Sequence, residues 1–135
     1  MNLPWDFVVF GVPVSVQSKN SRSKTRWKTK VATAAQTAWP EDAPPLLEKL
    51  QIHITYFHDT APLDVDNMLK LIQDALCGIL YDDDDQIADI HGHIRDINGA
   101  YKIRGITTAL AAGFSAGGPF VHVRVELPGD DEELP

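Results

Sequence analysis

The stretch from Leu50 to Leu80, LQIHITYFHDTAPLDVDNMLKLIQDALCGIL, changes its hydrophobic period halfway along. Residues 50–57 alternate apolar and polar side chains, and this two-residue period predicts a half-buried strand. A turn at 59–62 separates the strand from residues 66–80, whose apolar side chains recur at helical spacing. The stretch therefore predicts a strand followed by an amphipathic helix.

The remaining sequence predicts three more strands and one more helix. The strands are expected at 6–11, 86–97 and 120–127, from their β-branched residues or two-residue periods. A helix is expected at 22–39, with Pro40 as its stop, and a short helical turn at 46–49. Residues 105–119 are rich in Ala, Gly, Ser and Thr and receive no assignment. The order β-α-β-α-β-β predicts an α+β (α/β) fold in which two helices pack on a single mixed sheet.

The length of 135 residues suits one domain, expected over residues 1–128. Residues 129–135 are an acidic tail that is expected to be disordered. The single cysteine, Cys77, excludes an intramolecular disulfide and fits a reducing compartment. No apolar run is long enough to span a bilayer, so a cytoplasmic protein without a membrane partner is expected.

The net charge of −7 is unevenly distributed along the chain. Half of the basic residues lie between positions 19 and 30, without any acidic residue among them. They are Lys19, Arg22, Lys24, Arg26, Lys28 and Lys30. Such a segment suits contacts to DNA phosphates, and Trp27 within it could stack on exposed bases. The alternative is a solvated basic helix with Trp27 in the core.

Aspartates at two places in the chain are candidates for a metal site. Asp64 and Asp66 are alternate residues at the start of the helix predicted at 66–80, where the helix dipole stabilises carboxylates. A run of four follows the helix, from Asp82 to Asp85. Two carboxylates about 4 Å apart repel by roughly 4 kcal/mol at a surface-like dielectric, so their convergence needs a cation. Hard oxygen ligands favour Mg²⁺.

The simpler interpretations of these acidic residues stay open. Lys70 lies four residues from both Asp66 and Asp74, so the polar helix face could be solvated, with weak ion pairs. The acidic run by itself could be a solvated turn. Asn67 is expected to cap the helix.

The pattern of these residues resembles the RusA family of Holliday-junction resolvases. The family signature reads D-x-D-N-x-x-K, then D-A-L, then D-D-x-Q. Here residues 64–70 read DVDNMLK, residues 74–76 read DAL and residues 83–86 read DDDQ. Asp85 departs from the family, which usually has a small or polar residue there.

The resemblance implies a metal-dependent endodeoxyribonuclease of recombination and repair, encoded by a bacterium or a phage. It implies that Asp64, Asp66 and Asp84 bind Mg²⁺, with Mn²⁺ as the alternative ion, and that Lys70 is the catalytic lysine. It also implies a homodimer that nicks two strands of a four-way DNA junction.

Three other functions stay open beside this one. They are a less selective nuclease for branched DNA, a junction-binding protein without activity, and a calcium-binding module, whose loop spacing is missing. A zinc site of His53, His91 and His93 is disfavoured, because neither a cysteine partner nor a His-Glu-x-x-His pattern accompanies them.

Overall fold

Four strands and three α-helices make up the computed structural model, which describes residues 3–60 and 63–129. In chain order the elements are β1 (Trp5–Phe10), α1 (Ser21–Ala38), β2 (Leu50–His58), α2 (Val65–Leu76), a 3₁₀ turn (Asp84–Gln86), β3 (Ile87–Asp96), α3 (Thr108–Ser115) and β4 (Phe120–Glu126).

The strands form one mixed sheet in the order β1-β4-β2-β3. β2 and β3 are parallel, with α2 as their crossover, whereas β4 runs antiparallel to both β1 and β2. The alternate residues Ile52, Ile54 and Tyr56 of β2 are fully buried, as their two-residue period predicts. The predicted α+β class with a single mixed sheet is therefore confirmed.

The two sheet faces carry different layers. α1 and α2 pack on one face, where their apolar side chains meet those of all four strands in the main core. α3 covers part of the other face, where Leu110 packs with Phe57 and Phe120 in a second, smaller cluster. The rest of that second face is polar and open. The fold is thus a three-layer arrangement with one incomplete layer.

Two local predictions around α2 were wrong. Residues 46–49 form no helical turn; instead the N–H of Leu46 donates to the carbonyl of Leu80 at 2.8 Å, and Leu46 pairs with Tyr81 as an isolated bridge. α2 ends at Leu76 rather than at Leu80, because the chain turns at Gly78, whose φ of 90° favours glycine. This turn brings the acidic run back alongside the segment before β2.

α3 lies in the segment that received no assignment. Thr107 caps it by accepting a hydrogen bond from the N–H of Leu110 at 3.1 Å. Gly113 lets the helix approach the sheet, because an added Cβ there would lie 2.3 Å from the Phe120 ring. The small residues that obscured the pattern therefore serve close packing of helix on sheet.

Of the predicted acidic tail at 129–135, only Gly129 is among the described residues. The predicted domain boundary at 128 stays a prediction. Within the described residues, no helix combines the length and the apolarity that crossing a membrane requires.

Candidate active site

The start of α2 presents two of the candidate metal ligands. Asp64 is the N-cap residue in extended backbone conformation, and its side chain makes no capping hydrogen bond. Asp66 lies in the first turn of the helix, and both aspartates are exposed. The helix dipole favours negative charge at this position. The carboxylate of Asp64 is therefore not committed to capping.

Asn67 does not cap α2, contrary to the expectation. It is the third residue of the helix, and its N–H bonds to the carbonyl of Asp64 at 3.0 Å. Its own carbonyl accepts a hydrogen bond of 2.9 Å from the N–H of Val16. This bond ties the loop before α1 to the N-terminal turn of α2. The basic segment therefore begins next to the end of α2 that carries Asp64 and Asp66.

Lys70 lies one turn further along α2 and is cationic at neutral pH. Its ammonium pairs with Asp74 at 2.9 Å, and among the described residues no ion pair within 4.0 Å joins it to Asp66. The hydrogen bond and charge of Asp74, followed by the charge of Asp84, raise the pKa of Lys70. The charge of the acidic run thus acts on the polar face of α2 at Lys70.

The acidic run forms a short, tightly bonded turn. Asp83 caps the 3₁₀ turn by accepting the N–H of Asp85 at 3.0 Å, and the four aspartates are exposed. Burial, followed by the charge of Asp84, raises the pKa of Cys77. Burial, again followed by Asp84, raises the pKa of Tyr81. Of the run, Asp84 is thus the aspartate whose charge acts most strongly on Cys77 and Tyr81 at the end of α2.

The three carboxylates implied as metal ligands do not form a closed site. Within residues 3–60 and 63–129, no three or more His, Cys, Asp or Glu side chains are arranged to hold a metal ion. The donors nevertheless suit Mg²⁺, because they are exposed carboxylates. Mg²⁺ keeps several waters and takes one or two protein carboxylates together with substrate phosphates. The donor type of Asp64, Asp66 and Asp84 therefore suits Mg²⁺, but the described parts of the chain do not bring the three together, and their role as metal ligands stays a prediction.

The basic segment occupies the N-terminal half of α1. Asn20 caps the helix by accepting the N–H of Ser23 at 3.0 Å, and the first turn contains no acidic residue. An open cleft of about 590 Å³ at this end is lined by Asn20, Ser21, Arg22, Thr25 and Arg26. Lys19, Arg22, Arg26 and Lys30 are exposed, and Lys24 and Lys28 are half-buried. Cationic side chains and helix N–H groups thus face the solvent together.

Trp27 does not belong to this exposed surface. The side chain is 3% exposed and packs in the main core with Val31 and Ala35 of the same helix face. A ring in this position cannot stack on a DNA base, so the structure supports its role in the core. The reason is helical spacing, which places residues 27, 31 and 35 on one stripe.

The candidate zinc ligands His53, His91 and His93 lie on the open part of the second sheet face. The rings of His53 and His91 stack with centroids 4.3 Å apart, because the two residues are directly paired between β2 and β3. Burial, then the charge of His91, lowers the pKa of His53, and burial, then Arg95, lowers the pKa of His93. His53 also contacts Glu126 at 3.1 Å.

One residue of the site received no role from the sequence. Gln86 ends the acidic run, is buried, and hydrogen-bonds to the backbone of that run. Its sequence signals were its place at the end of four acids and its match to the final Q of the D-D-x-Q element, and neither states a role. A polar side chain next to a charged run is usually exposed, so its burial could not be read from the pattern.

Comparison with protein families adds an independent finding. The sequence model described as Endodeoxyribonuclease RusA matches residues 14–105, which is more than half of the chain. The matched region includes the basic segment, α2, the acidic run and β3. A comparison with curated protein sequences gave no match.

Proposed function

Because the chain belongs to the RusA endodeoxyribonuclease family, which acts on Holliday junctions, we propose that it resolves four-way DNA junctions by Mg²⁺-dependent phosphodiester hydrolysis. The observation that carries the proposal is the attachment of the acidic run to α2: the hydroxyl of Tyr81, next to the run, donates to the carbonyl of Gln73 at 2.6 Å. From there the charge of Asp84 acts on Lys70, which pairs with Asp74 on the same helix. The proposal includes a cytoplasmic role in recombination and repair.

In this proposal the exposed carboxylates of Asp64, Asp66 and Asp84 hold the metal ion. When bound, Mg²⁺ supplies Lewis-acid stabilisation of the phosphate oxygens and activates water. Lys70 is protonated at neutral pH, since Asp74 and Asp84 raise its pKa. Its ammonium donates a hydrogen bond to a phosphate oxygen and offsets the negative charge that grows there during hydrolysis.

The basic segment would hold the DNA away from the scissile bond. Arg22 and Arg26 at the α1 cleft contact backbone phosphates, which fixes the position of the duplex without reading its sequence. Lys19, Lys24, Lys28 and Lys30 extend this contact. Symmetric cleavage of two strands needs two active sites, and a homodimer with two-fold symmetry supplies them.

Cleavage of a synthetic four-way junction under Mg²⁺ titration tests the proposal. Asp66→Asn removes one carboxylate and should lower the cleavage rate by about a hundredfold or more, because electrostatic stabilisation at the reacting centre is lost. Junction binding should persist. Asp42→Asn is the matched control: Asp42 lies in the linker after α1 with φ 65°, a conformation that asparagine accepts. It should cleave like the wild type.

A junction-binding protein without activity is the second candidate, because the described residues contain no closed three-ligand metal site. Intact junction binding without cleavage in either Mg²⁺ or Mn²⁺ would favour it. Equal cleavage of flaps and junctions would instead indicate a less selective nuclease.

A further inference from the structure

Gln86 is unusual among the polar side chains of this protein. It is 8% exposed, and it is the one polar or charged residue in the buried class within the described parts of the chain. It follows four exposed aspartates directly. A buried amide is costly unless its donors and acceptors are bonded, so its environment decides what it does.

All four hydrogen-bonding positions of the Gln86 amide are occupied. Its Oε1 accepts from the N–H groups of Asp82 at 2.7 Å and Asp83 at 2.9 Å. Its Nε2 donates to the carbonyls of Leu46 at 2.7 Å and Glu48 at 3.0 Å. An amide offers two acceptor and two donor positions. One side chain therefore joins the acidic run to the segment before β2.

The segment to which Gln86 is bonded pairs with the turn after α2, and the residue before the run is bonded to α2 itself. Leu46 bonds to the carbonyl of Leu80 at 2.8 Å, and the hydroxyl of the buried Tyr81 donates to the carbonyl of Gln73 in α2 at 2.6 Å. On the outside, Lys49 Nζ donates to the carbonyl of Asp85 at 2.6 Å. The run is thus bonded at its start to the helix that carries Lys70 and at its end to the segment before β2.

We infer that Gln86 is a positioning residue, which holds the turn at 82–86 against the segment before β2 and so fixes Asp84 relative to α2, the helix that carries Lys70. The inference rests on the proposed function for the catalytic importance of Asp84. The four adjacent aspartates repel one another, so without the hydrogen bonds of Gln86 the exposed run would move away from α2.

Gln86→Glu tests this role with a nearly isosteric side chain. The carboxylate still accepts from Asp82 and Asp83, but it faces the carbonyls of Leu46 and Glu48 with an acceptor in place of two donors. The matched control is Gln36→Glu, which adds the same charge at an exposed position of α1. Thermal unfolding first establishes that each variant is folded.

Three measurements then separate positioning from a purely structural role. They are the single-turnover cleavage rate under Mg²⁺ titration, the junction Kd, and the alkylation rate of the exposed Cys77 by iodoacetamide at pH 8. Cys77 reports the position of the run without any need for activity, because its Sγ lies 3.5 Å from the carbonyl of Asp82 and because burial, followed by the charges of the run, raises its pKa.

For Gln86→Glu we expect cleavage to slow at least about tenfold, with a higher Mg²⁺ requirement, because a displacement of about 1 Å at a reacting group costs up to about a hundredfold. Junction Kd should be unchanged. Cys77 should alkylate faster by about twofold or more, because the thiolate fraction rises when the negative run moves away.

A folded Gln86→Glu protein with wild-type cleavage or wild-type Cys77 alkylation overturns the inference. If the variant does not fold, Lys49→Met decides, because it removes the outer bond to Asp85 from an exposed position. Shifts in the same direction then support the inference, and wild-type values overturn it. If the wild type cleaves no junction, the proposed function fails, and the alkylation rate alone decides whether Gln86 holds the turn.

Discussion

Gly92 of β3 lies directly beneath the first turns of α2, and Gly92→Ala should push that helix away from the sheet. An added Cβ would lie 2.5 Å from Val65 Cγ2 and 3.2 Å from Leu69 Cδ2. Ordinary carbon contacts are about 3.5–4.0 Å, so the helix or the strand must give by about 1 Å. The displaced turn carries Asp64 and Asp66.

The size of the effect follows from two opposing contributions. Overpacking of a well-packed contact costs about 1–3 kcal/mol. Alanine offsets about 0.4–1 kcal/mol of this by restricting the unfolded chain. The free energy of unfolding should therefore fall by about 1–2 kcal/mol, which lowers Tm by roughly 3–8 °C in a domain of this size.

Urea and thermal unfolding of Gly92→Ala, together with junction cleavage, measure both consequences. The matched control is Gly118→Ala, because a Cβ at Gly118 would meet nothing within 4 Å. Val65→Ala removes the closest methyl group, and Val65 is 38% exposed, so this truncation by itself should cost little. The double variant should recover about 1 kcal/mol relative to the sum of the single changes. Wild-type stability of Gly92→Ala, or strict additivity with Val65→Ala, would refute the reasoning.

Three further outcomes are expected. Asp74→Asn should lower the pKa of Lys70 toward its ordinary value. The alkaline limb of the pH–rate profile should then shift to lower pH, and an unshifted limb contradicts the pairing of Lys70 with Asp74. His53 and His93 have lowered pKa values in the folded protein, so the unfolded chain binds more protons below pH 6.5. The free energy of unfolding should therefore fall as the pH drops from 7 to 5. Urea unfolding of His53→Asn should show a weaker fall, and a fall equal to that of the wild type contradicts this prediction. Arg26→Gln should reduce the salt dependence of junction binding, with the slope of log K against log salt smaller by about 0.9; an unchanged slope places Arg26 outside the interface.

The regular elements could largely be predicted from local pattern. The period of two in residues 50–57 and 120–127 recurs in the buried positions of β2 and β4, because a strand between two layers must alternate its environments. The apolar stripe of α2 could equally be predicted from the helical spacing of its residues, and Met68, Leu71 and Ile72 in it are buried. These features depend only on neighbours in the chain.

Predictions were wrong or missing where a distant contact decides. Leu46 pairs with the chain near Tyr81 instead of forming a helical turn, because the backbone groups of Leu46 and Glu48 find partners more than thirty residues away. α3 shows little contrast between its faces in sequence, and its position depends on Phe57 and Phe120 from two strands.

The candidate site divides in the same way. The sequence by itself determined which residue types are present and in what spacing: Asp64, Asp66 and Lys70 on one helix start, four aspartates after it, and six cations without an acid among them. Only the tertiary structure decided that the acidic run lies against the end of α2 and that Trp27 belongs to the core. The tertiary structure alone placed the amide of Gln86 against the carbonyls of Glu48 and Leu46, which lie 38 and 40 positions earlier in the chain. Spacing along a helix or strand is a local property, whereas the partner of a buried amide is set by which segments the core brings together.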